Sequence, residues 1–227
     1  MKTTDILGII LARGGSKRLP RKNIASLNGK PLLAYTCEAA LGSTLLTRVI
    51  LSTDDEDIAA IGRQYGVEVP FMRPAHLATD KADSMDVLLY VLQELEKREH
   101  YAPSLVVLLQ PTSPLRTSAH IDAGIVLLQQ TGADSVVSVT EVPHLHCPPH
   151  AMYIKDGKLI KAAPQSAEKF YAYNGAVYVR RSERLKQPGN PYGDNCLPLI
   201  MDPADSLDID TDSDLELAKF LLKRKKS

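Results

Sequence analysis

Five short apolar runs, Ile6 to Ala12, Val49 to Ser52, Val67 to Phe71, Leu105 to Leu109 and Ser135 to Val139, alternate along the chain with segments of helical period. No other feature restricts the fold as much. Strands separated by helices are joined by crossover connections and therefore lie parallel, in a layered α/β domain. Helices are expected at Leu32 to Leu41, Asp54 to Gln64, Met85 to Glu99, Ala119 to Gln130 and Ser213 to Lys223, each covering a sheet face. Thr53 and Glu56 have the spacing of a capping box. With 227 residues, 44% of them hydrophobic, the chain fits one domain, 1–227, with room for a small appendage. The pattern breaks after Val142, where Pro143, Pro148 and Pro149 interrupt it. Met152 to Ile160 then reads as a hairpin turning at Asp156-Gly157. Residues 143–175 are accordingly expected to form an inserted β subregion.

Ligands of parallel sheets collect at the carboxyl ends of the strands, so the loops that follow the strands define the binding edge. The loop after the first run holds Arg13, Lys17, Arg18, Arg21 and Lys22 around Gly14 and Gly15. Glycines let backbone N–H groups approach a ligand, and the cations neutralise a polyanion. The spacing is neither that of a Walker loop nor G-x-G-x-x-G. A solvated basic loop would read the same way. Late in the chain, Asp208 and Asp210 alternate just before a helix and, if extended, point to one side. Paired hard oxygens suit Mg²⁺, which takes one or two carboxylates plus phosphates and waters. Helix capping by Thr211 or Asp212 explains part of the same acidic cluster.

Lys plus Arg and Asp plus Glu both number 27, so no net field favours nucleic acid or an anionic membrane as partner. Cys37, Cys147 and Cys196 have no metal-ligand spacing and are odd in number, which suits a reducing cytoplasm. No apolar run spans a bilayer and no leader precedes the first strand, so a soluble cytoplasmic protein is expected. His76, His144, His146 and His150 lack the framing of a metal site. No nucleophile elbow is present.

The segment Leu11-Ala12-Arg13-Gly14-Gly15-Ser16-Lys17-Arg18-Leu19-Pro20-Arg21-Lys22-Asn23 resembles the A-R-x-x-S-K-x-L-P-x-K-N signature of nucleotidyltransferases that make CMP-sugars. Gln110-Pro111-Thr112-Ser113-Pro114-Leu115-Arg116, Arg73 through Asp80 to Ser84, and Asn174-Gly175-Ala176-Val177-Tyr178 are similar to further segments of the acylneuraminate cytidylyltransferases, in the same order. The resemblance implies a Rossmann-like nucleotidyltransferase fold, mostly parallel with helices on both faces, working as a homodimer through its inserted β region. It implies transfer of CMP from CTP to the anomeric hydroxyl of a nine-carbon 2-keto sugar acid, with Mg²⁺ or Mn²⁺ held by Asp208 and Asp210. Leu11, Ala12, Arg13, Gly14, Ser16, Lys17, Lys22, Asn23, Arg73 and Ser84 would bind the nucleotide, with Arg13 and Lys22 also catalytic. Gln110, Thr112, Ser113, Asn174 and Tyr178 would bind the sugar.

Local readings stand beside these roles. Ser84 suits a helix cap, Thr112 or Ser113 a turn, Asn174 an exposed turn and Tyr178 a core position. Many family members carry a lysine after an H-P pair and an arginine before the N-G strand, reaching the partner subunit's sugar site. Here those stretches read His146-Cys147-Pro148-Pro149-His150 and Ala163 to Lys169, with neither cation in place, though His150 or Lys169 could substitute. A different nonulosonic acid, of legionaminic or pseudaminic type, therefore becomes credible. CMP-Kdo synthesis and a non-catalytic nucleotide-binding module are the alternatives.

Overall fold

The computed structural model describes residues 5–147, 152–155, 158–161, 169–187, 189–190 and 192–225. Its strands are β1 (Ile6–Leu11), β2 (Ser26–Leu27), β3 (Lys30–Pro31), β4 (Arg48–Ser52), β5 (Leu105–Leu109), β6 (Ser135–Glu141), β7 (Met152–Lys155), β8 (Lys158–Lys161), β9 (Tyr171–Arg181) and β10 (Cys196–Ile200). The helices are α1 (Leu32–Leu41), α2 (Glu56–Gln64), α3 (Ser84–Glu99), α4 (Ser118–Thr131), α5 (Ser182–Leu185) and α6 (Asp212–Arg224). Six strands form one sheet in the order β10-β6-β9-β5-β1-β4. β9 runs antiparallel to both its neighbours, β5 and β6, and the other pairs are parallel, so five strands point one way.

Alternation along the strands builds two cores. Ile6, Ile10, Val49, Leu51, Val107 and Leu109 face α1, α2 and α4 through Leu33, Cys37, Ile58, Ile121 and Ile125. Leu7, Ile9, Ile50, Val106 and Leu108 face α3 and α5 through Leu88, Val91, Leu95 and Leu185. Helices thus cover both faces, as the alternation implies. α6 departs from that expectation. Its Leu215 and Ala218 pack on Leu19, Leu27, Leu32 and Ile209, so it clamps the basic loop and not a sheet face.

Three local expectations need correction. Val67 to Phe71 is not a strand, since only Glu68 bridges to Ile50. The helix expected from Asp54 begins at Glu56, and its cap is Asp55, whose carboxylate accepts from the Asp57 and Ile58 N–H groups. Thr53 and Glu56 make no capping box. Ser84 opens α3 but does not cap it, because Asp83 accepts from the Met85 N–H. β9 and β10 complete the sheet where the sequence signals no core strands. β7 and β8 pair with each other, and the Asp156-Gly157 turn lies outside the described residues.

Candidate active site

β1 delivers the basic loop to the carboxyl edge of the sheet, and acids of the β4–α2 connection shape it. The Gly14 N–H donates to Asp54 Oδ1 at 3.0 Å. A Cβ on Gly14 would lie 2.8 Å from Asp55 Oδ2, so the glycine permits a close approach. Asn23, buried, donates from Nδ2 to the Arg13 carbonyl at 2.9 Å and folds the loop back on itself. The result is a cavity of about 450 Å³ lined by Leu11, Arg13, Ser16, Lys17, Lys22 and Asn23 on one side and Gln110, Thr112 and Asp210 on the other. A second cavity of about 240 Å³ shares Leu11, Arg13, Asp80 and Gln110 and extends to Arg73 and Ser84. Ala12, Gly14, Ser113, Asn174, Tyr178 and Asp208 line neither; Ala12, Ser113, Asn174 and Tyr178 are buried, and Gly14 contributes backbone alone. Arg73 braces the end of β4, with NH2 donating to the Ser52 carbonyl at 2.6 Å, and burial pushes its guanidinium down to about 10.

Two aspartates hold four of the five cations of this loop, and Arg21 pairs with a third, Asp57, at 2.6 Å. Asp80 binds Arg13 through Oδ1 at 2.8 Å and Lys17 through Oδ2 at 2.5 Å. Hydrogen bonding from Lys17 holds its carboxyl below the usual range. Asp210 binds Lys22 at 2.9 Å and Arg18 at 2.8 Å, with Lys22 the main cause of its lowered pKa. The Lys22 ammonium also donates to the Ile209 carbonyl at 2.9 Å. Residues 188 positions apart in sequence therefore meet directly.

Across the cavity the wall is made of buried hydrogen bonds. Between the Val137–Tyr178 and Val139–Tyr173 pairs the register shifts, and Asn174-Gly175-Ala176-Val177 bulges from β9 opposite Ser138. Asn174 is 3% exposed, not an exposed turn. Its Oδ1 accepts from Ser138 Oγ at 2.6 Å and from the Ala176 N–H at 3.2 Å, while Nδ2 donates to Ser206 Oγ at 2.9 Å. That amide is spent inside the protein. Gly175, at φ +73°, brings three groups together: a Cβ built there would lie 3.3 Å from Ser113 Oγ, 3.7 Å from Gln110 Oε1 and 3.8 Å from Asp208 Oδ1. Ser113 itself is fully buried, donating to the Asn174 carbonyl at 3.2 Å. Tyr178 sits in the core beside Leu108, where burial pushes its hydroxyl up to about 12.

Asp208 and Asp210 flank the fully buried Ile209, whose N–H donates to the Thr112 carbonyl at 2.8 Å. Asp210 turns to Lys22 and Arg18 at the cavity, while Asp208 lies beside Gly175, near enough to Asp210 to feel its charge. Asp208 keeps an open side to solvent, yet the crowding chain, with Asp210 beside it, pushes its carboxyl above the usual range. Thr112 Oγ1 is buried and close enough to temper that rise, but it completes no hydrogen bond. An orphaned hydroxyl beside two carboxylates fits a hard cation that takes its remaining ligands from water and phosphate. Among the described residues no group of three or more His, Cys, Asp or Glu forms a metal cage. The open site requires none. Thr211 caps α6 with Asp214 in a capping box, which accounts for that part of the acidic run.

Residues with no role assigned from sequence prove central: Asp80, Asp54, Asp55 and Arg116. Asp80 and Arg116 each lie inside a recognisable segment, but the contacts they make span long sequence separations, which a linear pattern does not encode. His150 lies outside the described residues, as do Ala163 to Glu168. Lys169 pairs with Glu141 at 2.9 Å. No helix among the described residues is long and apolar enough to cross a membrane.

Residues 7–195 match the family described as cytidylyltransferase, a span that stops short of Asp208 and Asp210. A CMP-N,N'-diacetyllegionaminic acid synthase of Legionella pneumophila is 36% identical over 96% of the chain and 96% of its own length. An N-acylneuraminate cytidylyltransferase of Escherichia coli is 38% identical over 98% of the chain and 53% of its own length. Among solved structures, a CMP:2-keto-3-deoxy-manno-octonic acid synthetase complexed with CTP superposes with a TM-score of 0.74 over 98% of the chain and 100% of its own, at 18% identity. That last likeness establishes a shared fold.

Proposed function

The chain belongs to the cytidylyltransferase family, and from that premise we propose that it transfers CMP from CTP to the anomeric hydroxyl of a nine-carbon 2-keto sugar acid. The observation that carries this reading is the meeting of Lys22 with Asp210, which joins a triphosphate-sized basic cavity to a pair of acids able to seat a divalent cation. The anomeric oxygen attacks the α-phosphorus, the bond from that phosphorus to the β-phosphate bridge breaks, and pyrophosphate leaves. Arg13, Lys17 and Lys22 exchange their aspartate partners for phosphate oxygens and offset the charge that grows on the leaving group. Asp208 and Asp210 would hold Mg²⁺, or Mn²⁺, and the ion, when bound, would neutralise phosphate charge and orient the α-phosphate.

Arg73 and Ser84, in the adjoining cavity, receive the nucleoside, and Gln110 meets the sugar from its stiff prolyl loop. A second copy of the chain docking through residues 143–175, around the β7–β8 hairpin, completes the acceptor end. Identities of 36–38% to nine-carbon enzymes, against 18% to the octonic acid enzyme, favour the nine-carbon acids. The altered cation positions favour a nonulosonic acid of legionaminic or pseudaminic type over N-acetylneuraminate. We place the reaction in the cytoplasm, where CTP is available.

The test is pyrophosphate release with Mg²⁺ and each of the four nucleoside triphosphates against a panel of nonulosonic acids and Kdo. Turnover requiring CTP and a nine-carbon acid is expected. Preference for Kdo, or CTP binding with no release for any acid, would overturn the reading. Dimer formation is read separately by light scattering of the full chain.

A further inference from the structure

Arg116 is the guanidinium with the least access to water in the site, 3% exposed, and no carboxylate reaches it. Its NH1 donates to the Gln110 carbonyl at 3.0 Å and to the Ala176 carbonyl at 2.9 Å, and its NH2 donates to Thr36 Oγ1 at 2.5 Å. Nε has no partner. Burying a charge against carbonyls and a hydroxyl alone is costly, and an apolar side chain would fill the same space more cheaply. What the arginine does that an apolar residue would not is cross-link three elements: the end of β5, the β9 bulge and α1.

Those elements carry the acceptor wall. The Gln110 carbonyl fixed by Arg116 belongs to the residue whose Oε1 lies across Gly175 from Asp208, and the Ala176 carbonyl belongs to the residue after that glycine. Ser113 adds a second tie from the same loop to the Asn174 carbonyl, and Asn174 reaches Ser206, just upstream of Asp208. We infer that Arg116 is a positioning residue of the acceptor half-site, setting the separation of Gln110 from Asp208 on which alignment of the sugar hydroxyl depends. The inference rests on the proposed function. Arg13, Lys17 and Lys22 make no hydrogen bond to Arg116, and Gln110 touches the nucleoside cavity only at its edge, so the larger effect falls on the sugar acid.

Arg116→Lys keeps the charge and loses the fork that reaches three acceptors. The expected result is a fall in kcat/KM for the sugar acid of roughly 10²-fold, as small misplacements of reacting groups produce, with the calorimetric Kd for CTP unchanged within about twofold. Amide hydrogen exchange across 110–116 and 173–178 should quicken. In Arg116→Ala, millimolar guanidinium should restore part of the sugar-acid turnover; if that variant does not fold, Thr36→Val removes one anchor and should give a smaller loss of the same kind. Sugar-acid kcat/KM held within about threefold in Arg116→Lys, CTP affinity falling in step with it, or unaltered exchange would each overturn the inference. A wild-type chain inactive on every acid would strike the proposed function instead, while the exchange measurement would still decide whether Arg116 sets the wall.

Discussion

The two walls of the cavity are built on opposite principles. The donor wall is a loop of exposed and half-exposed cations held by exchangeable ion pairs to Asp80 and Asp210. On the proposed function the acceptor wall rests on a lattice of buried hydrogen bonds through Arg116, Ser113, Asn174 and Ser138, with Arg116 Nε and Thr112 Oγ1 left over. A triphosphate brings charge enough to displace an aspartate, so its wall can stay wet and mobile in its pairing. A sugar acid offers mainly hydroxyls, whose recognition depends on donors and acceptors fixed before binding. On the proposed function, phosphate affinity is a matter of charge exchange and sugar choice a matter of rigid spacing.

The largest effect belongs to the junction of the walls: Asp208→Ala should lower Mg²⁺-dependent turnover by about 10⁴-fold, read as initial pyrophosphate release, and a loss under tenfold would detach Asp208 from the reaction. Arg13→Ala should cost about 10³-fold in turnover at saturating CTP, because its charge acts on the transferring group. On the rigid side, Asn174→Ala strands the Ser138 hydroxyl and the Ala176 N–H, and should lower unfolding free energy by about 2–3 kcal/mol in urea titration. An unchanged midpoint would mean the lattice is not tense.

Asp80→Asn should have the opposite sign to every loss above. It frees Arg13 and Lys17 from competition, and CTP should bind about fivefold tighter at low salt, an advantage that fades as salt rises. Weaker binding would make Asp80 a ligand contact and not a placeholder. The smallest effect is one of pH. Asp208 has a raised folded pKa, so the folded chain binds more protons than the unfolded one between the ordinary carboxylate value and the raised one, and stability falls as pH climbs through that window. Asp208→Asn should therefore be slightly more stable than wild type at neutral pH, with the gain vanishing below the ordinary value, as thermal melts across pH would show.

Legibility in the sequence followed the same division. The parallel strands β1, β4 and β5 and the helices α1 and α3 announce themselves through unbroken apolar runs and clean periodicity, since each buries a continuous face. The basic loop and the Asp208/Asp210 pair are readable because charge and spacing are local properties. Val67 to Phe71 misled because its apolar residues pack beside the sheet while only Glu68 joins the ladder. Asn174 carries the marks of an exposed turn, and only the long-range partners Ser138 and Ser206 reveal that it is interior. Arg116 and Asp80 were hidden for a related reason: their partners, the Ala176 carbonyl for one and Arg13 and Lys17 for the other, lie some sixty residues away, and in sequence Asp80 has only Lys81 beside it.

The single reversed strand, β9, has a consequence for assembly on the ribosome. β1, β4 and β5 are the first three strands of this sheet along the chain and can associate once Leu109 has emerged, whereas β9 must slot between β5 and β6 after both exist. The phosphate-facing loop is consequently made early and finished late. Until Asp210 and α6 leave the exit tunnel, Arg18 and Lys22 await their native counter-ion, and on the proposed function nascent chains would gain their nucleotide grip only after that segment has emerged.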